Sequence, residues 1–153
     1  MTIFNFAQVS KPSLSEWANF KHSITHLFYA EEFENLSIGD GNCEEVKIPM
    51  GLFEPESTCG TAEMLVVNGV DGEDCEPLII KQVYIEEGEV CCQTNGHPYA
   101  QFVQSALLVA SKTMEESFRL PSDKECASFL NAMDIVTKST GIEFSSEDRF
   151  RFS

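Results

Sequence analysis

The feature that most constrains the fold is a helical apolar repeat in the second half of the chain. Apolar side chains recur there every three or four positions, at Tyr99, Phe102, Val103, Ala106, Leu107, Ala110, Met114 and Phe118. This spacing puts them on one face of an amphipathic helix, which has to be buried against another layer. Pro98 is placed at the first position of this helix, where the backbone N–H that proline lacks would have no partner within the helix. We therefore expect a helix near residues 98–119.

Two further helices are predicted, near residues 14–35 and 123–139. Each begins with a capping box, in which a serine precedes a glutamate by three positions; the pairs are Ser13 with Glu16 and Ser122 with Glu125. Gly141 is placed to end the later helix as its C-cap.

The first of these helices carries two faces. Its core stripe is formed by Trp17, Phe20, Ile24, Leu27 and Phe28. A second, partly aromatic face consists of His22, His26, Tyr29 and Phe33. This second face is suited either to a partner or to a neighbouring element of the same fold.

Four strand-like segments lie between the first two helices, at residues 46–53, 62–68, 78–85 and 90–94. Their short connections predict an antiparallel meander. The expected fold is α+β, with an N-terminal helix, a central antiparallel sheet of about four strands and two C-terminal helices packed on one sheet face. The chain is expected to form a single domain over residues 1–153, with 1–12 and 145–153 as edge strands or frayed ends.

The acidic residues are concentrated in one part of the chain. Residues 31–89 contain 16 Asp and Glu against two Lys, a net charge of −14, whereas the whole chain carries −15. This balance excludes broad binding to nucleic-acid phosphates. The acidic stretch is either a solvated face kept for solubility or a negative surface that recruits a basic partner. Its separation from the rest of the chain favours recruitment, because solubility does not require it.

The sequence predicts a cytoplasmic protein with reduced cysteines. No segment approaches the length of apolar residues that a membrane span needs, and residues 1–10 lack the pattern of a secretory signal. A reducing compartment would keep all six cysteines, at positions 43, 59, 75, 91, 92 and 126, as thiols.

Two histidine-containing groups are candidates for a metal or catalytic site. His22 and His26 stand four residues apart, a spacing at which two imidazoles can share a metal ion. Because no third ligand is identifiable, the preferred interpretation is a surface histidine pair. The second group, formed by Cys91, Cys92 and His97, lacks the paired C-x-x-C motifs that structural zinc usually shows.

The leading functional hypothesis is a non-enzymatic acidic binding protein that docks on a basic surface of a protein partner. Carboxylates along strands and loops can imitate a row of phosphates, as in nucleic-acid mimics and immunity proteins. The concrete hypothesis is an inhibitor, carried by a phage or another mobile element, of a nucleic-acid-binding enzyme. The predicted partner-binding residues are Asp71, Glu73, Asp74, Glu76, Glu86, Glu87 and Glu89. We predict no cofactor, no metal, and no direct binding to nucleic acid or membrane.

The alternative hypothesis is a small enzyme or ligand-binding α+β domain. Its pocket would lie between the sheet and the helices, near Cys91, Cys92 and His97. A thiol of unusual reactivity would favour this alternative.

Overall fold

The structure is a computed structural model that describes residues 3–56, 62–70, 76–83, 88, 90–94, 96–121 and 128–153. Within these ranges it is a mixed α+β fold. The strands are β1 Ile3–Gln8, β2 Phe53–Pro55, β3 Glu63–Val67, β4 Leu78–Lys81, β5 Val90–Gln93 and β6 Phe118–Arg119. The α-helices are α1 Leu14–Phe28, α2 Ala100–Thr113, α3 Leu130–Thr140 and α4 Ser146–Arg151, and short 3-10 helices cover Glu31–Phe33 and Pro49–Leu52.

The strands form two antiparallel sheets of three strands, instead of the single four-stranded sheet expected. One sheet is the meander β2-β3-β4, and the other has the order β5-β1-β6. The expected pairing of β4 with β5 is replaced by pairing of β5 with β1, in which Phe4 lies opposite Cys92. The prediction for residues 46–53 is corrected too, since a 3-10 helix occupies Pro49–Leu52 and proline cannot donate to a strand ladder.

Helix α2 lies at the centre of the helical layer. Every residue from Phe102 to Ala110 is buried, and the helix contacts both α1 and α3. A helix that is buried all round has neighbours on every side, so α2 forms the middle of the core. None of the described helices combines the length and the apolar character that crossing a bilayer requires.

Helix α1 begins as predicted and ends earlier than predicted. The capping box is present, with the Ser13 hydroxyl accepting from the Glu16 amide at 3.1 Å. Helix α1 ends at Phe28, and the extended backbone of Ala30 separates it from the 3-10 turn. On a continuous helix Phe33 would face solvent; the break lets it enter the core, where it is 4% exposed.

The later helices also differ from the prediction. Helix α2 ends at Thr113, and Phe118 forms β6 instead, where its ring stacks on Phe6 at 5.4 Å. Helix α3 starts at Leu130 and ends at Thr140, and Gly141 follows in the left-handed conformation as the expected C-cap. The predicted capping box of Ser122 and Glu125 lies outside the described residues.

The first and last described elements differ from the edge strands or frayed ends expected for residues 1–12 and 145–153. The first strand is the central strand of its sheet and not an edge strand. The tail is the helix α4, because Ser145 and Asp148 form a capping box there. The Phe152 carbonyl then accepts from the Phe129 amide at 3.0 Å, which ties the tail to the start of α3.

Candidate protein-docking site

Only one of the predicted partner-binding residues lies in the described part of the chain. Glu76 is exposed just before β4, and its amide donates to the Gln93 carbonyl of β5 at 3.2 Å. It therefore stands where the two sheets meet. The other predicted residues lie outside the described residues, and they are Asp71, Glu73, Asp74, Glu86, Glu87 and Glu89.

The structure places Cys91 and Cys92, the two thiols of the alternative hypothesis, on opposite faces of β5. Cys91 is exposed and Cys92 is fully buried, since neighbouring residues on a strand point to opposite faces. The Cys92 thiol contacts the Glu76 carbonyl at 3.5 Å. The ring of His97 is half-buried and lies nearly parallel to Tyr99, with 6.3 Å between centroids. The two thiols therefore cannot line one pocket together.

Cys43, the third cysteine that the structure describes, is half-buried, and its sulfur accepts from the side-chain amide of Asn68 at 3.7 Å. Cys59, Cys75 and Cys126 lie outside the described residues. Within the described ranges, no three His, Cys, Asp or Glu side chains are grouped so that they could hold a metal ion.

The most promising surface feature forms where α1 ends. Tyr29 follows the last residue of α1 and its side chain is 64% exposed. The 3-10 turn after it is anchored by Phe33, whose ring packs edge-on against Phe102 at 5.2 Å. The buried anchor holds the turn against α2, so the exposed Tyr29, Glu31 and Glu34 stand on a fixed base.

The opposite wall is the segment from residue 38 to 47. Its ends are joined by the Val46 amide, which donates to the Ile38 carbonyl at 2.8 Å. Inside the loop, one carboxylate oxygen of Asp40 accepts from the amides of Asn42 and Glu44 at 2.9 and 3.1 Å. These bonds keep the loop in one shape and leave Glu45 on its rim.

Between these walls lies a groove of about 400 Å³, which we call the Tyr29 groove. This volume is in the range of ordinary ligand pockets. Its apolar side chains are Phe28, Phe33, Leu36, Ile38 and Val46. Its rim carries Tyr29, Glu31, Glu34, Glu45 and Lys47. The groove thus combines an apolar floor with a mainly acidic rim.

The carboxylates of the rim are not all neutralised. Lys47 Nζ lies 2.7 Å from Oε2 of Glu45, and this hydrogen bond lowers the pKa of Glu45 below its ordinary value. Glu45 is therefore ionised at neutral pH. No cation among the described residues forms an ion pair with Glu34.

A second cleft adjoins the groove and shares Tyr29. It has a volume of about 280 Å³ and also contains His26, Glu31, Glu32 and Lys138 of α3. Lys138 Nζ lies 3.2 Å from Glu31 and 3.4 Å from Glu32, and these carboxylates raise the pKa of Lys138. The ammonium of Lys138 stays charged and ties the 3-10 turn to α3.

Two other cavities suit a ligand less well. An apolar cavity of about 100 Å³ lies between β1 and β4, beside Phe6 and Ile79. Its volume is below that of usual ligand pockets. A cleft of about 200 Å³ at the end of α2 contains Lys112 and Asp148, which bind each other at 2.8 Å.

The backbone connects the Tyr29 groove to the acidic segment that follows β3. Gly39 and Asn68 exchange two backbone hydrogen bonds of 2.8 and 2.9 Å. A Cβ atom at Gly39 would lie 2.5 Å from the Gly69 carbonyl oxygen, so this approach requires glycine. The loop that carries Glu45 and the chain leading to Asp71 therefore start side by side.

Sequence reasoning found some groove residues and missed the groove itself. It placed Tyr29 on the second, partly aromatic face of the first helix and included Glu31, Glu32 and Glu34 in the acidic stretch of residues 31–89. It did not place them beside Glu45, because their proximity depends on how the segment from residue 38 to 47 folds back toward α1. The available signal was Gly39 to Asn42, a run of turn residues that returns the chain toward α1.

Comparisons with known proteins give no match, whether with protein-family models, curated protein sequences or solved structures.

Proposed function

We propose that the protein is a non-enzymatic binding protein that docks on a basic surface of a protein partner. The observation that carries the proposal is the Tyr29 groove, with its apolar floor and acidic rim, in the stretch of the chain that holds most of the negative charge. Such a groove matches the side chain of a lysine or an arginine. The methylene stem of that side chain packs on apolar surface while its charged head meets the carboxylates.

The groove offers a partner both an aromatic contact surface and a negative charge. Tyr29 can supply a large contact area at low entropic cost, as exposed tyrosines do in many interfaces. The rim keeps a net negative charge because Glu34 forms no ion pair among the described residues, and this charge speeds association with a basic partner and makes it sensitive to salt. The groove therefore forms the centre of the proposed site.

The acidic segments beyond the groove are proposed to extend the docking surface. Asp71, Glu73, Asp74 and Glu76 follow Asn68, whose backbone pairs with Gly39, and Glu86, Glu87 and Glu89 precede β5. The concentration of charge in residues 31–89 supports this extension. We further propose a nucleic-acid-binding enzyme as the partner and a phage or mobile-element inhibitor as the biological role, because rows of carboxylates resemble rows of phosphates.

The test compares two variants that change the same kinds of residue in different places. The groove variant is Tyr29→Ser, Glu34→Lys and Glu45→Lys. The control is Phe150→Ser, Glu115→Lys and Glu143→Lys, which alters one exposed aromatic residue and two exposed acids away from the groove. Both have the same net charge, so any difference between them reflects location.

Wild type and both variants are used to capture proteins from extract of the source cell, and the captured protein is purified for binding kinetics at low and high salt. We expect the wild type and the control to bind a basic protein in a salt-sensitive manner, and the groove variant to bind it far more weakly. Equal binding by both variants, an acidic partner, or affinity indifferent to salt would overturn the proposal.

A further inference from the structure

The two histidines of α1 face each other on its exposed side. His22 and His26 are one helical turn apart, and their Nε2 atoms are 3.2 Å apart. Their rings meet at an interplanar angle of 77°, with 4.6 Å between centroids. The opposite face of α1 is buried through Trp17, Phe20 and Ile24, so the backbone that carries both rings is held in place.

The distance between the two nitrogens suits a shared metal ion. With metal–nitrogen bonds of about 2.05 Å, a separation of 3.2 Å corresponds to a nitrogen–metal–nitrogen angle of about 100°. This lies between the cis angle of a square-planar site and the angle of a tetrahedral site. Without a metal, the same separation permits one imidazole to donate an N–H hydrogen bond to the other.

Against the prediction of no metal made from the sequence, we propose that His22 and His26 chelate one divalent transition-metal ion of the kind that prefers imidazole, such as Ni²⁺, Cu²⁺ or Zn²⁺. Each neutral ring donates a lone pair from Nε2, and water occupies the remaining coordination positions. Any proton on Nε2 is released to solvent when the ion binds. The other members of a four-ligand structural centre are missing among the described residues, which makes this an open two-point site.

The surroundings favour a cation. His26 borders the cleft that contains Glu31 and Glu32, whose two carboxylates face the single ammonium of Lys138. The Glu31 side chain is exposed, so its carboxylate shares the same solvent as an ion bound to the histidines. The nearby negative charge adds long-range attraction without supplying a direct ligand.

The test uses Ni²⁺ alone as the probe, titrated into the full chain by calorimetry. The variants are His22→Gln and His26→Gln, each of which removes one ligand from an exposed position of α1. The matched control is His97→Gln, which removes the third histidine of the chain and leaves the pair intact. A double variant lacking His22 and His26 keeps all six cysteines and all carboxylates, so binding that persists in it belongs to ligands other than the histidine pair.

We expect one equivalent of Ni²⁺ to bind the wild type and the His97→Gln variant with the same affinity. Each single variant of the pair should bind about 100-fold more weakly, because the chelate is lost. Ni²⁺ should also raise the melting temperature of the wild type and of the control only. Absence of binding to the wild type, or equal affinity in the double variant, would overturn the proposal, whatever the outcome of the docking test.

Discussion

The side-chain amide of Gln8 pairs with the backbone of Lys81 as another strand would. Its Nε2 donates to the Lys81 carbonyl at 2.7 Å, and its Oε1 accepts from the Lys81 amide at 2.9 Å. Gln8 ends β1 of one sheet, and Lys81 ends β4 at the edge of the other. One side chain thus satisfies two backbone groups of an edge strand and joins the two sheets.

Replacing Gln8 should therefore destabilise the protein more than its partial exposure suggests. We expect Gln8→Ala to lower the free energy of unfolding by about 1–3 kcal/mol, because a donor and an acceptor of Lys81 both lose their partner. Gln8→Glu should also destabilise, since a carboxylate cannot donate to the carbonyl. Urea unfolding measures both changes, and a Gln8→Ala midpoint equal to that of the wild type would contradict the role of the link.

The ion pair of Lys112 and Asp148 predicts a dependence of stability on pH. Their side chains are 26% and 20% exposed and lie 2.8 Å apart. The hydrogen bond from Lys112 lowers the pKa of Asp148, with further help from Ser145 and against the effect of partial burial. The resulting stability is present above the unfolded carboxyl pKa of about 3.9 and is lost as the pH falls through the lower folded value.

The matched variants are Asp148→Asn and Asp134→Asn. We expect Asp148→Asn to lower the free energy of unfolding at pH 7 by about 1 kcal/mol, with the difference vanishing in acid. Asp134 pairs with Arg149 in a more exposed position, so its replacement should cost less. Denaturation curves at neutral and acid pH decide the matter; a cost at Asp148 that does not change with pH would be inconsistent with an ion pair.

Two aromatic residues that follow α1, Phe33 and Tyr29, should contribute very differently to the free energy of unfolding. Phe33→Ala should destabilise by about 3–5 kcal/mol, because its ring is buried against Phe102. Tyr29→Ala should change stability by about 0.5 kcal/mol or less, because Tyr29 is mostly exposed. Thermal unfolding compares them directly. A large loss at Tyr29 would mean that it serves the fold and not a partner.

The cysteines should differ in reactivity while all remaining reduced. Cys91 is exposed and Cys92 is fully buried, so an alkylating reagent should label Cys91 in the native protein and Cys92 only after unfolding. Fragment-ion mass spectrometry distinguishes the two neighbours. The intact mass should also be that of six thiols; a mass lower by two hydrogens would reveal a disulfide.

The charge of the acidic residues between β3 and β4 should affect binding and not stability. Reversing Asp71, Glu73, Asp74 and Glu76 to lysine should slow association with the captured partner, and we expect it to leave unfolding nearly unchanged because carboxylates that stay in solvent need no compensation from the core. Stopped-flow association at two salt concentrations measures this. If the charge-reversed variant associates as fast as the wild type, these carboxylates are a solubility coat.

Local signals correctly predicted the start of α1 and the end of α3. Ser13 with Glu16 and the left-handed Gly141 depend on three or four neighbouring residues, and both occur as expected. Ser145 and Asp148 carry the same kind of signal, but the alternation of polar and apolar residues from Arg149 to Phe152 favours the edge strand or frayed end expected for residues 145–153. The capping box outweighs that alternation, since the segment is helical.

Signals that depend on distant partners predicted less. Residues 3–6 have a strand pattern, but nothing in them specifies whether the strand is central or at an edge. The end of α1 depends on Phe102, because Phe33 packs against its ring in the core, whereas on a continuous helix Phe33 would face solvent. The Tyr29 groove depends on the same long-range packing, so the sequence predicted its acids and its tyrosine separately.

The central position of β1 has a consequence for biosynthesis. The meander β2-β3-β4 joins segments that leave the ribosome one after another, whereas β1 pairs with β5 and with β6, where Ala7 lies opposite Arg119. Such distant pairing slows folding, and an unpaired strand is open to pairing with other chains. A nascent chain therefore exposes both edges of its first strand until residues 90–93 and 118–119 have emerged.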